Sequence, residues 1–227
     1  MAKVCIVCGD TGTGKSSSLK NLKPEETYVI NVLNKPLPFK GSKALYNENN
    51  KNHVNTTSYQ DILNILEAID KKGTHIKNLI LDDLGFVMTT EFFARANEKG
   101  FDKFAQFGLH MQQIISRAKD MRDDLNVVLM YHEDDDVSDR IKVGKKIKLI
   151  GQMLDDKYNP LGVVSVCLFT DVTFDDKSGE AKYGFITNRT QRNGLIIPAK
   201  SPQGMFEGNT IPNDLSIVFK AMDEYYN

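Results

Sequence analysis

Three glycines within six residues follow directly on a short apolar run near the start of the chain. The run is VCIVC (4–8), and the glycines are Gly9, Gly12 and Gly14 in the segment GDTGTGKSS. Glycine adopts backbone conformations that other residues avoid, but each one costs conformational entropy on folding. A buried strand that runs into such a segment therefore predicts a tight loop whose backbone shape is needed for binding.

Residues 9–16 fit the pattern G-x-x-x-x-G-K-[ST] without a mismatch. In such a loop the backbone N–H groups converge on phosphate oxygens, and the start of the following helix adds a positive field. Lys15 would bring a charge to the β- and γ-phosphates, and the Ser16 hydroxyl would bind Mg²⁺. The sequence therefore predicts a site for a Mg²⁺-bound triphosphate, formed by Gly9, Asp10, Thr11, Gly12, Thr13, Gly14, Lys15, Ser16 and Ser17. The preferred base is left open.

Two aspartates end a second buried run, NLILDD (78–83). Asp82 is the candidate for the metal side of the site, directly or through water. Asp83 is the candidate that positions or deprotonates an attacking water. An aspartate pair at a strand end also serves as a turn or helix cap, and this alternative stays open.

A third buried run, NVVLMY (126–131), leads into His132. A polar residue at this point can sense the γ-phosphate through a hydrogen bond that hydrolysis removes, although a lone histidine is often structural. The acidic run Glu133–Asp136 lacks the glycine and the spaced ligands of a calcium loop. We expect it to form a solvated turn.

Four short apolar runs alternate with helical patterns, which favours an α/β fold with a mainly parallel sheet flanked by helices. The predicted strands lie at 3–8, 27–32, 78–83 and 126–131, and the predicted helices at 15–22, at 58–73 and in two segments of 87–122 broken near Gly100. Residues 33–57 are predicted to form a long loop. Further on, two β-rich runs flank the turn signal DDKSGEA (175–181), and a last helix follows from 211. We expect these C-terminal strands to form a hairpin in the same sheet, within a single domain over 1–227.

The formal net charge of −1 excludes a strongly basic chain, so a polyanionic partner must bind a local patch. Three cysteines do not make a disulfide framework, which favours a reducing cytoplasm. Cys5 and Cys8 could indicate redox or zinc chemistry, but buried structural cysteines are expected. The N-terminal apolar run is too short for a signal peptide or a membrane span, so no membrane association is expected.

Three segments together resemble the RecA-type P-loop ATPases: the loop 9–16, LILDD (79–83) and VVLMYHE (127–133). Over most of its length the chain is similar to compact phage-encoded ATPases of that group, which include single-strand annealing and recombination proteins. The resemblance implies a RecA-like core that uses ATP and Mg²⁺. It also implies an ATPase that acts on single-stranded DNA in phage recombination, annealing or replication, in the host cytoplasm.

The resemblance further implies assembly, because such proteins place the site at a subunit boundary and receive a cation from the neighbour. Arg192 and Lys200 are the candidates for that cation. The expected partners are further copies of the chain, single-stranded DNA and a single-strand-binding protein.

One position departs from this family. RecA carries a catalytic glutamate at the end of the strand after the loop, and Leu33 takes that place here. Asp83 is the substitute candidate, and slow hydrolysis or nucleotide-gated binding stays open. Lys35 and Lys40 lie in the loop that follows, near the expected nucleotide edge.

A cation cluster follows the His132 strand, where the family contacts DNA. Five cations lie within nine residues, and such a patch can follow a phosphate backbone. They are Arg140, Lys142, Lys145, Lys146 and Lys148. The alternative is a solvated hairpin edge that lysines protect from aggregation.

Two other functions stay open. A P-loop kinase of a nucleotide or small metabolite would need an arginine-rich lid, and the chain has six arginines, none clustered. A nucleotide-gated interaction module with little hydrolysis is compatible with Leu33.

Overall fold

The computed structural model describes residues 1–100, 102–150 and 159–226. In chain order its strands are β1 (Lys3–Gly9), β2 (Thr27–Asn31), β3 (His53–Asn55), β4 (Asn78–Asp82), β5 (Asn126–Ser138), β6 (Ile141–Ile147), β7 (Val166–Phe174), β8 (Ala181–Ile186), β9 (Thr190–Arg192), β10 (Leu195–Ile197) and β11 (Thr210–Pro212). Its α-helices are α1 (Ser42–Leu45), α2 (Tyr59–Lys72), α3 (Phe86–Ala94), α4 (Asp102–Lys119), α5 (Pro160–Val163) and α6 (Leu215–Tyr226).

The four predicted strands lie together at the centre of one sheet. The order across it is β3-β2-β4-β5-β1-β7-β8-β11, with β5 between β1 and β4. The strands from β3 to β7 run parallel, whereas β8 and β11 are antiparallel to their neighbours. The predicted α/β fold and the C-terminal hairpin are therefore confirmed. All the central strands end at the same edge of the sheet, which we call the carboxyl edge.

Helices cover both faces of this sheet. Alternate residues of β1 point to opposite faces: Ile6 and Cys8 pack with α2, α3 and α4, while Cys5 and Val7 pack with α6. Burial on both faces explains why the central strands read as nearly continuous apolar runs. The expectation of one domain over 1–227 stays a prediction.

The predicted solvated turn at Glu133–Asp136 is wrong, because β5 continues through it to Ser138. This half of β5 pairs antiparallel with β6, with Asp134 opposite Lys146 and Asp135 opposite Lys145. Opposite charges across the two strands allow polar sequences to form a stable pair. β6 also pairs with β10, which pairs with β9.

The predicted helix at 15–22 is also wrong. The loop is followed by one 3₁₀ turn, Ser16–Leu19. Ser18 hydrogen-bonds its hydroxyl to the Lys15 carbonyl at 2.5 Å, and serine side chains compete in this way with helical hydrogen bonds. A single short turn provides little of the helix field that the sequence pattern implied.

The predicted loop over 33–57 contains α1 and β3, so it is not irregular throughout. The buried side chain of Asn52 accepts a hydrogen bond from Asn47 N and donates to the carbonyls of Pro24 and Leu45. These bonds fold the segment back so that β3 pairs with β2. Side-chain bonds of this kind leave no periodic signal in the sequence.

The helix predictions at 58–73 and 87–122 are confirmed by α2, α3 and α4. None of the helices in the described part of the chain combines the length and the apolar composition of a membrane span. The resemblance to phage ATPases also predicts extra strands and loops over residues 140–154, and of these, residues 151–154 lie outside the described residues.

The N-terminus of α2 provides a stability prediction. The Ser58 hydroxyl accepts a hydrogen bond from Asp61 N at 3.2 Å, so Ser58→Ala should lower the free energy of unfolding by about 1 kcal/mol in urea titrations. The control Ser116→Ala, on the exposed side of α4, should leave stability unchanged or slightly raised, since alanine favours helices. Equal stability of Ser58→Ala and the native chain would contradict the capping role.

Candidate functional site

At two positions in the loop after β1, the backbone has a conformation that favours glycine. Gly12 and Gly14 have φ angles of +78° and +98°, in the left-handed region. At Gly9 the constraint is space instead, because an added β-carbon would lie 1.8 Å from Thr170 Oγ1. Each glycine of the motif therefore has a structural reason.

The Lys15 side chain folds back over this loop. Its Nζ donates hydrogen bonds to the carbonyls of Gly9 and Asp10, each at 2.8 Å. The residue is only 6% exposed, and burial lowers the pKa of its ammonium group, although Asp83 opposes the shift. A buried cation held by two neutral carbonyls is well placed to exchange them for phosphate oxygens, which bind charge more strongly.

Thr170 on β7 joins the loop from the neighbouring strand. Its hydroxyl donates to Thr13 Oγ1 at 2.7 Å, and Thr13 Oγ1 donates to the Asp10 carbonyl at 2.7 Å. β7 lies beside β1 with Cys8 opposite Phe169, which brings the next residue, Thr170, to Gly9. Thr170 could not be predicted from the sequence, because only the strand order reveals this contact.

The two predicted metal-side residues are brought together. The Ser16 hydroxyl donates to Asp82 Oδ1 at 2.9 Å, although the two residues are 66 apart in sequence. Asp82 is buried, and burial together with the neighbouring charge of Asp83 raises the pKa of its carboxyl group to about 6. A hydroxyl and a buried carboxylate are hard oxygen donors that fit Mg²⁺, which keeps waters and phosphate oxygens as its other ligands.

The Asp83 carboxylate lies between a histidine ring and a lysine ammonium group. His132 Nε2 lies 2.9 Å from its Oδ1, and Lys35 Nζ lies 3.0 Å from its Oδ2. Burial raises the pKa of the Asp83 carboxyl group, but the bonds from His132 and Lys35 outweigh it and lower the pKa below its usual value. Asp83 is therefore ionised, with both oxygens engaged.

Two backbone features position the Asp83 carboxylate. Asp83 has a φ angle of +58°, which few residues other than glycine, asparagine and aspartate adopt. The next residue, Leu84, donates its N–H to the Met130 carbonyl of β5. Strain of this kind is often concentrated at functional sites.

Lys35 reaches Asp83 from the segment after β2. The Asn31 side chain, at the end of β2, donates to the Lys35 carbonyl at 2.6 Å. Lys35 and Lys40 are both exposed, and of the two Lys35 makes this contact. Leu33 is partly buried.

The strand register explains why these groups converge. Gly9 of β1 lies opposite His132 of β5, and Asn31 of β2 lies opposite Asp82 of β4. The carboxyl edge thus carries the glycine loop, a buried lysine, a hydroxyl–carboxylate pair and a histidine–aspartate pair. Such a set can bind a polyphosphate and its metal and can contact the terminal phosphate.

Of the two predicted trans-acting cations, the Arg192 side chain is paired within the chain, and Lys200 is held through its backbone. Arg192 on β9 donates to Asp171 at 3.1 Å, and Asp171 follows Thr170 on β7. Lys200 forms backbone hydrogen bonds of 2.8 Å in both directions with Cys167. Their role at a subunit boundary stays a prediction.

The predicted nucleic-acid patch is balanced by acidic residues. On β6, Lys142 pairs with Asp135 at 2.6 Å, and Lys145 pairs with Glu133 at 2.8 Å. Lys146 also has an interaction partner. Arg140 is exposed at the β5–β6 turn, and the Lys148 N–H donates to the His132 carbonyl.

The cysteines take no part in this site. Cys5, Cys8 and Cys167 are buried and free, and burial raises the pKa of each thiol. Among the described residues, no group of three or more His, Cys, Asp and Glu side chains could hold a metal ion. The expectation of buried structural cysteines agrees with these positions.

A family described as an AAA domain matches residues 1–193. The chain belongs to the AAA domain family. No curated protein matches the chain.

An AAA domain binds nucleotides through a P-loop, so the match confirms the coarse part of the sequence interpretation, a P-loop nucleotide-binding ATPase domain. The motif Gly9–Ser16 lies within the matched residues.

Burial of Asp82 provides a pH-dependent prediction. Because its pKa rises from 3.8 to about 6 on folding, ionising Asp82 costs the folded state about 2–3 kcal/mol. That cost is absent below pH 4 and complete above pH 6. Asp82→Asn should therefore raise the free energy of unfolding at pH 8 and leave it unchanged at pH 3.5, measured by urea titration without nucleotide.

The control is Asp123→Asn, at an exposed position, which should change stability little at either pH. A lower free energy of unfolding for Asp82→Asn than for the native chain at pH 8 would contradict the proposed cost of ionising the buried Asp82.

Proposed function

We propose that this AAA domain is a Mg²⁺-dependent ATPase that acts with single-stranded DNA in phage recombination, annealing or replication. The observation that carries the ATPase proposal is the convergence of Lys15, the Ser16–Asp82 pair and the His132–Asp83 pair at the carboxyl edge. These groups come from three different strands and match the parts that phosphoryl transfer needs.

In this proposal the N–H groups of the loop 9–17 hold the phosphates. Lys15 leaves the two carbonyls that it contacts and bonds to the β- and γ-phosphates. Ser16 and Asp82 would hold Mg²⁺, with Asp82 bound directly or through water. The bound metal would neutralise charge that develops on the phosphates.

Asp83 and His132 lie where the terminal phosphate would be contacted. His132 bonds to Asp83 at present, and a γ-phosphate oxygen competes for the same donor. Loss of that oxygen on hydrolysis would return His132 to Asp83, which makes the pair sensitive to the state of the nucleotide.

A second candidate function is a nucleotide-gated interaction module with little hydrolysis. It is favoured by the engagement of both Asp83 oxygens, by His132 and Lys35. A carboxylate with two donors and a lowered pKa is a weak general base. ATP would then bind well and turn over slowly.

The DNA proposal rests on the resemblance and on the β5–β6 hairpin. β5 carries both His132 and the hairpin, so one strand links the nucleotide site to the exposed Arg140 and Lys142. The acidic partners of the lysines reduce the positive potential of the hairpin, so its affinity for single-stranded DNA should be moderate and sensitive to salt.

Assembly of identical chains would allow Arg192 or Lys200 to reach a neighbouring site, and a single-strand-binding protein is a further proposed partner.

ATP turnover, with and without single-stranded DNA, separates these functions. Lys15→Ala should lower ATP affinity and turnover at least tenfold, because it removes a buried phosphate ligand. Lys72→Ala, on the exposed surface of α2, should behave as the native chain. Stimulation by DNA supports the DNA-dependent ATPase, and tight binding without turnover supports the gated module.

Two results would count against the proposal. Equal ATP binding by Lys15→Ala and the native chain would contradict the phosphate site. Phosphate transfer to a nucleoside or metabolite would favour a kinase instead.

The hairpin cations provide a separate prediction. The double variant Arg140→Ala/Lys142→Ala should weaken single-stranded DNA binding and reduce the slope of log affinity against log salt by about 1.4, since each lost phosphate contact contributes about 0.7. The control Lys71→Ala/Lys72→Ala removes two cations from α2. An unchanged slope in the hairpin variant would exclude this surface as a DNA contact.

A further inference from the structure

An open cavity of about 460 Å³ adjoins the glycine loop, within the size range of small-molecule sites. Its lining includes Gly12, Gly14 and Ser17 of the loop together with Tyr183, Pro212 and Asn213. Asp82, Asp83 and His132 do not line it. The cavity therefore begins at the loop but lies apart from the groups assigned to the metal and the terminal phosphate.

Tyr183 provides an aromatic wall. It lies on β8, and its ring atom Cδ1 is 3.2 Å from the point where a β-carbon on Gly14 would lie. The side chain nevertheless remains 48% exposed. A large aromatic ring that is half exposed beside a ligand loop has a free face for stacking.

Asn213 provides an unsatisfied polar group beside the same glycine. Its two amide atoms each lie 3.1 Å from the β-carbon position of Gly14. Nδ2 is buried and has no hydrogen-bond partner among the described residues. A buried donor without a partner costs free energy that a ligand acceptor would recover. The Asn213 N–H also donates to the Tyr183 carbonyl at 3.2 Å, which fixes the two residues relative to each other.

Two other cavities among the described residues are less suitable for the nucleoside part of a nucleotide. One of about 1160 Å³ is lined by residues such as Lys3, Asn78 and Asn126, which begin β1, β4 and β5 at the opposite edge of the sheet. One of about 260 Å³ is lined by Lys35, which contacts Asp83 at the terminal-phosphate end. Neither includes a residue of the loop 9–17 in its lining.

We propose that the Tyr183–Asn213 cavity holds the nucleoside part of the ligand, with the base stacked on Tyr183. Asn213 Nδ2 donates to an acceptor of the base or the ribose. This inference rests on the proposed nucleotide function of the loop and adds the residues that recognise the part beyond the phosphates. The loop binds the phosphates through its backbone, and the nucleoside extends from the phosphates into the cavity beside Gly14.

Comparing ATP with inorganic tripolyphosphate tests the inference, because tripolyphosphate lacks a nucleoside. Tyr183→Ala should weaken Mg–ATP binding about tenfold, since stacking of a base on an aromatic side chain contributes that much. Its affinity for tripolyphosphate should be unchanged. Tyr183→Phe should retain ATP affinity within about twofold, and Asn213→Ala should weaken ATP but not tripolyphosphate. Titration calorimetry measures both ligands.

The matched control is Tyr225→Ala, which removes the same side chain at 45% exposure from α6. It should bind both ligands as the native chain does. Thermal unfolding of each variant establishes that the fold is intact.

Three outcomes would overturn the inference. If the native chain binds both ligands and Tyr183→Ala binds ATP normally, the nucleoside site is wrong while the phosphate site stands. If Tyr183→Ala loses both ligands equally, Tyr183 supports the loop and does not contact the base. If the native chain binds neither ligand, the inference falls together with the proposed function.

Discussion

The site depends on the close approach of β1 to its two neighbours in a parallel sheet. Gly9 lies opposite His132 on one side and against Thr170 on the other, where no β-carbon fits. This contact fixes where the loop leaves the sheet. It also fixes the distance from the loop to the groups that follow β4 and β5. A shift of β1 by one residue would move every side chain of that strand to the opposite face and separate these groups.

The fold buries charge at this edge at a cost to its own stability. Lys15 and Asp82 both lose hydration, and burial shifts each pKa toward the neutral form. Asp83, between His132 and Lys35, keeps its charge through two direct bonds. A magnesium-bound polyphosphate would supply the opposite charges that Lys15 and Asp82 lack. The Ser16–Asp82 pair is already formed before the ligand arrives, so these two groups need little reorganisation when it binds.

The local parts of the site could be predicted from the sequence, and the tertiary parts could not. Gly9–Ser16 and Asp82 were predicted because each carries its signal in neighbouring residues. Thr170 was missed because its contact depends on which strand lies beside β1. The acidic run at 133–136 was misread because its partner β6 supplies the compensating charges. The 3₁₀ turn at Ser16–Leu19 reflects serine side-chain bonds, which override a weak helical pattern.

The most direct test is a crystal structure with Mg²⁺ and a non-hydrolysable ATP analogue. The account predicts that Lys15 Nζ leaves the carbonyls of Gly9 and Asp10 and bonds to phosphate oxygens. It also predicts the metal between the phosphates and the Ser16–Asp82 pair. A loop that stays empty, with Lys15 still bonded to its two carbonyls and the nucleotide absent or bound elsewhere, would contradict the account.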